Sequence, residues 1–529
     1  MHIFKVPRLQ RRTFIKAAVA AALLSSTSFT QIALAQSTPF DFDALTERMK
    51  AKAAEPHDAT VPPLPKGFAA LDYDGYRKVQ FDPRHARWAG SGAGYEVHAF
   101  SMGWLFKEPV KVFEIADGEA KAFDFSLADF KIYDDVLAQH RPDSEPFPGV
   151  AGFRINCPLN KPDAMDELVS FLGASYFRAL GRGNIYGLSA RGLLIDSWVD
   201  GPEEFPRFSE FYLERPTAGQ PLVAYAVLEG PSVAGAYRFE ITPGSEAVQE
   251  TVMEVTARLF FRKDVKELGI APLTSMFLFA EVNRAGYDDY RPQVHDSNGL
   301  LLARADGEVY WRALTNTPKL GNSYMWESSP KAFGLYQRGR EFETYQDAGA
   351  HYERRPSLRV EPQGDWGPGS VRLIEIPAKL EAEDNIVAFW VPSEPVKAGD
   401  AREFSYKLTW GDLNPDSADE LAHVVETRGG LGGFSGVESD AALRKFVIDF
   451  KGDALEKVAD PNRPFDVVAS ATGGRVVSST IQKVDANGVW RLVLDVMIES
   501  EDPVELKAYL VGGGKRVTET WLYQWRGHA

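Results

Sequence analysis

The chain has very little cysteine: Cys157 is the only one among 529 residues. An internal disulfide bond is therefore impossible. Exported domains often use disulfides, so their absence suits a chain that folds in a reducing cytoplasm before export. Cys157 lies in an apolar segment that is typical of a strand. A buried, inert thiol is favoured over a nucleophile at this position.

The chain also lacks an excess of basic residues. Lys and Arg number 59 against 74 Asp and Glu, which gives a formal net charge of -15. Nucleic-acid binding needs a basic surface, so this balance argues against a nucleic-acid partner. A hydrophobic content of 44% and a charged content of 25% are ordinary for a globular protein. An acidic body is compatible with a neutral ligand.

Long hydrophobic runs are absent, since no stretch approaches the ~18 consecutive apolar residues of a membrane span. The N-terminus carries Arg11 and Arg12, then Phe14, an Ala-rich apolar run over 17–24 and the sequence ALAQ. This pattern predicts a cleaved twin-arginine signal over 1–35, since the apolar run is too short for an uncleaved membrane helix. We expect a mature protein that is soluble in the periplasm and has no membrane span.

Apolar–polar alternation with β-branched and aromatic residues predicts an all-β protein. We expect a large β-sandwich over 36–392, a Pro- and Lys-bearing linker over 393–400, and an immunoglobulin-like sandwich over 401–529. The last lacks the Cys pair of antibody domains. Asp306-Gly307 and Asn487-Gly488 are predicted hairpin turns.

Helical segments are few in this interpretation of the sequence. Spacing predicts a helix from Phe42 to Ala54. A second helix is predicted over 163–180, in DAMDELVSFLGASYFRAL, with an aspartate as its N-terminal cap.

The segment 352–392 concentrates arginines, tryptophans and carboxylates. That combination suits a polyhydroxylated ligand such as a sugar, because sugar rings stack on aromatic faces while carboxylates and guanidinium groups bind hydroxyls. The aromatic candidates for stacking are Tyr352, Trp326, Trp366 and Trp390. For each of them a place in the sandwich core is at least as plausible.

Other chemistry finds little support in the sequence. GLSARG around Ser189 lacks the second glycine of a nucleophile elbow. The nine histidines show no H-E-x-x-H motif and no paired Cys/His spacing, which argues against a transition-metal site. We predict no metal and no cofactor.

Two carboxylates stand at predicted element ends, where a rigid scaffold can present a side chain. Asp296 lies in RPQVHDSNG and Asp384 in EAEDNIVAFW. Hydrolysis of a glycosidic bond needs one acid and one base, and partial burial or nearby carboxylates such as Glu381 and Glu383 would raise the pKa of the acid. The alternatives are structural: Asp384 ends a loop, and Asp296 caps a turn.

Arg355 precedes Pro356, which favours an extended backbone and turns the side chains of Arg354 and Arg355 to opposite faces. One of these arginines could then reach a ligand or a carboxylate. The alternative is a solvated cationic pair.

A set of long motifs, kept in order, resembles one known family. They are YDGYRKVQF, GASYFRALG, YGLSARGL, EEFPRFSEFYLERP, GAYRFEITPG, LGIAPLTSMFLF, RPQVHDSNGLL, YERRPSL and DNIVAFWVP. Together with the twin-arginine start, they look like the periplasmic glucan biosynthesis proteins of the G and D type. The likeness runs from about residue 38 to the C-terminus, and the twin-arginine signal makes the D type the more similar.

The resemblance implies a galactose-mutarotase-like β-sandwich joined to an immunoglobulin-like domain. It implies an inverting endo-β-1,2-glucanase that acts in making osmoregulated periplasmic glucans. By motif, Asp384 is the general acid, working through a substrate hydroxyl, and Asp296 is the base, working through water. Tyr352, Arg355 and Glu381 match substrate-site positions. This chain has KLEAEDN where relatives are expected to carry a Thr/Asp-rich loop.

Two other functions compete with hydrolysis. One is a non-catalytic glucan-binding or assembly factor beside an inner-membrane glucan synthase. The other is a β-1,2-glucan transglycosylase, which would use the same carboxylates. The oligomeric state is not readable from the sequence, and a homodimer is compatible with it.

Overall fold

The computed structural model describes residues 38–133, 147–199, 201–458, 465–500 and 502–527. The predicted signal segment lies outside these residues. Helices in the described part are short: α1 Phe42–Ala53, α2 Lys66–Ala69, α3 Tyr73–Arg77, α4 Phe342–Tyr345 and α5 Asp453–Val458, with 3₁₀ turns at Pro83–His85, Leu127–Asp129, Arg284–Gly286 and Tyr352–Arg354. None of these helices has the length and apolar character needed to cross a membrane.

Strands make up most of the described structure. In chain order they are β1 Thr38–Pro39, β2 Val79–Phe81, β3 Glu96–Ser101, β4 Lys111–Ala116, β5 Glu119–Ala122, β6 Phe130–Ile132, β7 Val150–Cys157, β8 Asp166–Leu172, β9 Tyr176–Ala179, β10 Ser189–Arg191, β11 Leu193–Ile195, β12 Arg207–Glu214, β13 Leu222–Glu229, β14 Val233–Thr242, β15 Thr251–Phe261, β16 Leu268–Ser275, β17 Phe277–Phe279, β18 Val294–His295, β19 Gly299–Ala303, β20 Val309–Ala313, β21 Gly321–Glu327, β22 Ala332–Tyr336, β23 Ser357–Gln363, β24 Gly369–Glu375, β25 Ile386–Pro392, β26 Ala401–Gly411, β27 His423–Leu431, β28 Leu443–Lys451, β29 Asp466–Thr472, β30 Gly474–Val484, β31 Val489–Ile498, β32 Val504–Gly512, β33 Lys515–Arg516 and β34 Thr520–Trp525.

Two large sheets form the main sandwich. The first has 16 strands in the order β1-β5-β4-β12-β13-β14-β15-β26-β23-β22-β19-β20-β34-β32-β29, with β33 on β32. The second has 10 strands in the order β21-β24-β25-β16-β10-β9-β8-β7-β3, with β11 on β16. Their inner faces share one core, in which Phe171 of the second sheet packs 5.3 Å from Phe239 of the first. The predicted all-β sandwich class is confirmed.

A second core lies toward the C-terminus. The four-stranded sheet β27-β28-β31-β30 covers β32 and β34, with the Phe446 ring 6.2 Å from Trp521 and 5.6 Å from Tyr523. However, β26 follows the predicted linker and pairs with β15 and β23 of the 16-stranded sheet. The large sheet therefore continues past residues 393–400 to Gly411, and β29, β32 and β34 extend it again further along the chain. The division into two domains stays a prediction.

The helix predicted over 163–180 is wrong. This segment forms the antiparallel strands β8 and β9, joined by a turn in which Gly173 and Ala174 have φ values of 79° and 41°. Leu168 to Phe171 are all buried, because both faces of this strand are covered. A strand buried on both faces has no alternation, so its apolar run cannot be told from a helix by periodicity.

The other local predictions are confirmed. Helix α1 begins after Asp41, whose side chain accepts hydrogen bonds from the N–H groups of Asp43 and Ala44. Gly307, with φ of 89°, turns the chain between β19 and β20, and Gly488, with φ of 72°, turns it between β30 and β31.

Candidate active site

Asp296 and Asp384 meet because two distant segments pair around one short stretch, residues 275–277. Ile386, the first residue of β25, pairs with Ser275 at the end of β16. His295 of β18 pairs with Phe277. Asp384 stands two residues before Ile386, and Asp296 directly follows His295. Strand pairing therefore delivers both carboxyl groups to the same end of β16.

Hydrogen bonds fix both segments to this stretch. The backbone N–H of Asp296 donates to the carbonyl of Met276 at 2.8 Å. The buried side chain of Asn385 accepts from the N–H of Phe277 at 2.8 Å, donates to its carbonyl at 2.9 Å, and donates to the carbonyl of Ile376 at 3.1 Å. Because Asn385 is adjacent to Asp384, this amide holds the start of β25 against the segment that also carries Asp296.

Asp296 is a buried carboxyl group with 7% of its surface exposed. Its Oδ1 lies 3.6 Å from Nε of Arg355 and has no hydrogen-bond partner among the residues that the structure describes. Burial raises the pKa of Asp296 to about 7; the cation of Arg355 opposes this shift, and the negative charge of Asp384 adds to it. The charge of Asp384 therefore acts on Asp296, as expected for two carboxyl groups that lie in the same site.

Asp384 is open to solvent, but protein atoms around it desolvate its carboxyl group and raise its pKa. The cation of Arg178 on β9 opposes that shift. Arg178 is itself held over the ring of Tyr186 at 4.1 Å, and its Nε donates to Ser170 Oγ at 3.3 Å. Asp384 thus faces a fixed guanidinium group from a strand that sequence reasoning had assigned to a helix.

Tyr352, Glu381 and Arg355 join the same site. The hydroxyl of Tyr352 donates to Glu381 Oε2 at 2.8 Å, and Nη1 of Arg291 donates to the same oxygen at 2.8 Å. The guanidinium of Arg355 lies 5.2 Å from the Tyr352 ring centroid and donates to the carbonyl of Ala350 at 3.0 Å. We call the set Asp296, Tyr352, Arg355, Glu381 and Asp384 the carboxylate site.

Arg355 has the backbone conformation that the sequence predicted. Its φ of -69° and ψ of 132° are extended, as expected before Pro356. Its side chain reaches Asp296, as the sequence also suggested for one member of the arginine pair. The other member, Arg354, donates to the carbonyl of Gly183 instead.

The three tryptophans lie apart from these residues. Trp366 and Trp390 are buried core residues, and the indole of Trp366 donates to the carbonyl of Ser405 at 3.1 Å. The prediction that these two rings stack on a sugar does not fit, because neither has a free face. Trp326 is 65% exposed. It lies five residues along β21 from Gly321, and Gly321 is at the end of β21 that is nearer the carboxylate site. That is about 17 Å of strand.

Sequence reasoning missed Arg178 and Arg291. Arg291 opens the same RPQVHDSNG motif that contains Asp296, and it forms ion pairs at 2.8 Å with Asp289, Asp347 and Glu381. The motif was the available signal for it. Arg178 lies in the motif GASYFRALG, but that motif falls within the segment mistaken for a helix, so its approach to Asp384 was not anticipated.

Two raised carboxyl pKa values beside guanidinium groups suit acid–base chemistry on a neutral polar substrate. Within the described residues, no group of three or more His, Cys, Asp or Glu side chains is placed to hold a metal ion. Cys157 is buried, as predicted, and burial raises the pKa of its thiol to about 12. That thiol is protonated near neutral pH and therefore unsuited to nucleophilic attack.

The raised pKa of Asp296 should make the free energy of unfolding depend on pH. A carboxyl group whose pKa rises on folding, here from 3.8 to about 7, favours the folded state below pH 4, and this contribution is lost as the pH rises through 7. Asp296→Asn should therefore raise the free energy of unfolding, relative to wild type, by up to about 4 kcal/mol at pH 8 but little at pH 4, since one pKa unit is worth about 1.4 kcal/mol.

Denaturant unfolding at both pH values measures this difference. The matched control is Asp117→Asn, an exposed aspartate with φ of 54°, a conformation that Asn tolerates. For Asp117→Asn, the difference from wild type in the free energy of unfolding should be the same at both pH values. A difference for Asp296→Asn that stays constant between pH 4 and 8 would show that the pKa of Asp296 is ordinary.

The protein is a β-sandwich with a paired-carboxylate site whose arrangement suits acid–base chemistry. The chain belongs to the periplasmic glucan biosynthesis protein family MdoG, whose family model matches residues 40–525. Family membership, expected from the motifs, is confirmed. The finer assignment to the D type stays a prediction.

Relatives of both types are similar over almost their whole length. Glucans biosynthesis protein G of Cereibacter sphaeroides is 50% identical, over 98% of each chain. Glucans biosynthesis protein G of Rhodopseudomonas palustris strain BisA53 is 41% identical, over 97% of this chain and 99% of the relative. Glucans biosynthesis protein D of Stenotrophomonas maltophilia strain R551-3 is 38% identical, over 98% of each chain. A solved polysaccharide lyase matches at 12% identity with a TM-score of 0.23, over 71% of this chain and 44% of the lyase, which is too low to bear on function.

Proposed function

We propose that this protein is an inverting endo-β-1,2-glucanase that sets backbone length during periplasmic glucan biosynthesis. The relatives' names support the biosynthetic role. The observation that supports hydrolysis is the pairing around residues 275–277, which brings Asp296 and Asp384 together with raised pKa values. Export by the twin-arginine route, a glucan synthase partner and a homodimer stay predictions.

In this proposal Asp384 is the general acid. Its proton passes to the glycosidic oxygen, directly or through a substrate hydroxyl, as the bond from that oxygen to the anomeric carbon breaks. A carboxyl group must still hold its proton near neutral pH to do this, and desolvation raises the pKa of Asp384 in that direction. Arg178 then faces the carboxylate that remains, so the anion does not stand alone.

Asp296 is the general base in the same proposal. It accepts a proton from the attacking water, whose oxygen forms the new bond to the anomeric carbon on the face opposite the leaving group. A pKa of about 7 suits a base that works near neutral pH. Oδ1 of Asp296 is buried, and no hydrogen-bond donor of the described residues occupies it. Inverting enzymes usually hold the two carboxyl groups about 6.5–9.5 Å apart to leave room for water.

The remaining residues of the carboxylate site bind and orient the glucan. Tyr352 and Arg291 both donate to Glu381 Oε2, which leaves the other oxygen of Glu381 available to a sugar hydroxyl. Arg355 packs on Tyr352 and approaches Asp296. The site thus offers acceptors and donors suited to neutral hydroxyls.

Incubation with linear β-1,2-glucan tests the proposal. Hydrolysis predicts shorter linear chains with new reducing ends. Redistribution of chain length or cyclic products, with no gain of reducing ends, would show transglycosylation instead. Tight binding without any change in the glucan would show a non-catalytic factor.

A further inference from the structure

A cavity of about 450 Å³ opens between the loop of residues 282–287 and the C-terminal strand β34. Three arginines, Arg284, Arg444 and Arg526, line it together with the aromatic side chains of Tyr287 and Trp525. The protein as a whole carries a formal charge of -15. Three guanidinium groups in one cavity therefore contrast with the acidic balance of the whole chain.

Arg444 on β28 is the unusual member of this set. It is 7% exposed, its Nε is buried without a hydrogen-bond partner, and no carboxylate of the described residues pairs with it. Its guanidinium lies 6.0 Å from the centroid of the Trp525 ring. Burial lowers the pKa of Arg444, and Tyr523 opposes that shift. A buried charge without a partner is costly, so a residue of this kind calls for an anion.

The other two arginines have protein partners. Arg284 lies 3.8 Å from Glu281, and its side chain is 40% exposed. Burial lowers the pKa of Arg526, and the negative charges of Glu375 and Glu505 oppose that shift. The Nε–H of Arg526 donates to Oε1 of Gln524 at 2.5 Å. Glu375 is already engaged by Arg312 at 2.9 Å. The positive charge in the cavity is thus only partly balanced, and the imbalance is at Arg444.

We propose that this cavity binds a small organic ligand through a phosphate group, with Arg444 as the principal donor. Guanidinium groups match the paired oxygens of phosphate and form charge-assisted hydrogen bonds with them. The volume exceeds that of a lone phosphate, and Trp525 and Tyr287 supply apolar faces for an organic part. The site uses none of the carboxylate-site residues, so it stands independently of the glucanase proposal.

Isothermal titration of the full chain with inorganic phosphate, glucose 6-phosphate and acetate, at matched ionic strength in chloride, tests this proposal. Glucose 6-phosphate should bind more tightly than inorganic phosphate, and acetate more weakly than either. Arg444→Met should raise the Kd by about tenfold or more, since a hydrogen bond to a charged group is worth a tenfold change in affinity. Arg475→Met, a surface arginine 59% exposed and paired with Glu499, is the matched control and should bind as wild type.

Two further measurements separate ligand binding from folding. Without ligand, Arg444→Met should be at least as stable as wild type, because it removes a buried unpaired charge. Arg284→Ala, on a half-exposed loop, should weaken binding by a smaller factor without affecting folding. Equal binding by Arg444→Met and wild type, tighter binding of acetate than of phosphate, or no binding of any probe would overturn the proposal.

Discussion

Asp384→Asn is expected to lower kcat/KM on linear β-1,2-glucan by about 10²–10⁴-fold, the usual contribution of a general acid or base. The amide keeps the shape of the side chain but has no proton to give to the leaving oxygen. Asp296→Asn should cause a loss of the same size, because the amide cannot accept a proton from water. Initial rates of reducing-end formation measure both variants.

The double variant distinguishes a working pair from two independent groups. Residues that act as a unit show grossly non-additive losses, so Asp296→Asn with Asp384→Asn should fall little further than either single variant. Asp117→Asn, at an exposed turn, should keep full activity. If Asp384→Asn matched the parent, the carboxyl group would have no chemical role, and a glucan-binding factor would be the better account.

Asn385→Ala is expected to lower both stability and activity. It removes three hydrogen bonds, two to Phe277 and one to the carbonyl of Ile376, and leaves buried backbone groups unpaired. Each unsatisfied buried group costs about 1–3 kcal/mol, so we expect a total loss of roughly 3 kcal/mol or more in the free energy of unfolding. The start of β25 would then be free to move away from Phe277, carrying Asp384 with it.

Urea unfolding and glucan hydrolysis of the same Asn385→Ala preparation check both halves of this prediction. Asn160→Ala is the matched control, because its side chain accepts a hydrogen bond from the N–H of Gly183 and not from a residue of the carboxylate site. It should cost about 1 kcal/mol and leave activity unchanged. Asn385→Ala is assayed at a urea concentration below its unfolding midpoint, where it is folded. Full activity under that condition would contradict a positioning role for Asn385.

Local sequence signals predicted the parts of this fold that depend on local geometry. The turns at Gly307 and Gly488 have positive φ values, for which glycine is the favoured residue. The extended backbone of Arg355 follows from the proline after it. These features involve neighbouring residues only, so the sequence carries them directly.

Features set by distant pairing were not accessible in the same way. The sequence is compatible with either a surface or a core position for Trp366 and Trp390, and the packing of the two sheets buries them. Strand β8 lacks alternation because both of its faces are covered. The helix predicted from its apolar run therefore also took in Arg178 on β9, and the approach of Arg178 to Asp384 was missed. The sequence marked Asp296 and Asp384 as candidates, but their convergence follows from the pairing of β18 and β25 around residues 275–277.

The most direct test of a water-activating Asp296 beside an acidic Asp384 is the anomeric configuration of the first products. Proton NMR during hydrolysis of linear β-1,2-glucan by the wild-type protein records it before mutarotation. The paired-carboxylate account predicts new reducing ends that appear first as the α-anomer, because water attacks opposite the leaving group. Products that appear first as the β-anomer, or a glucan left unchanged, would contradict it.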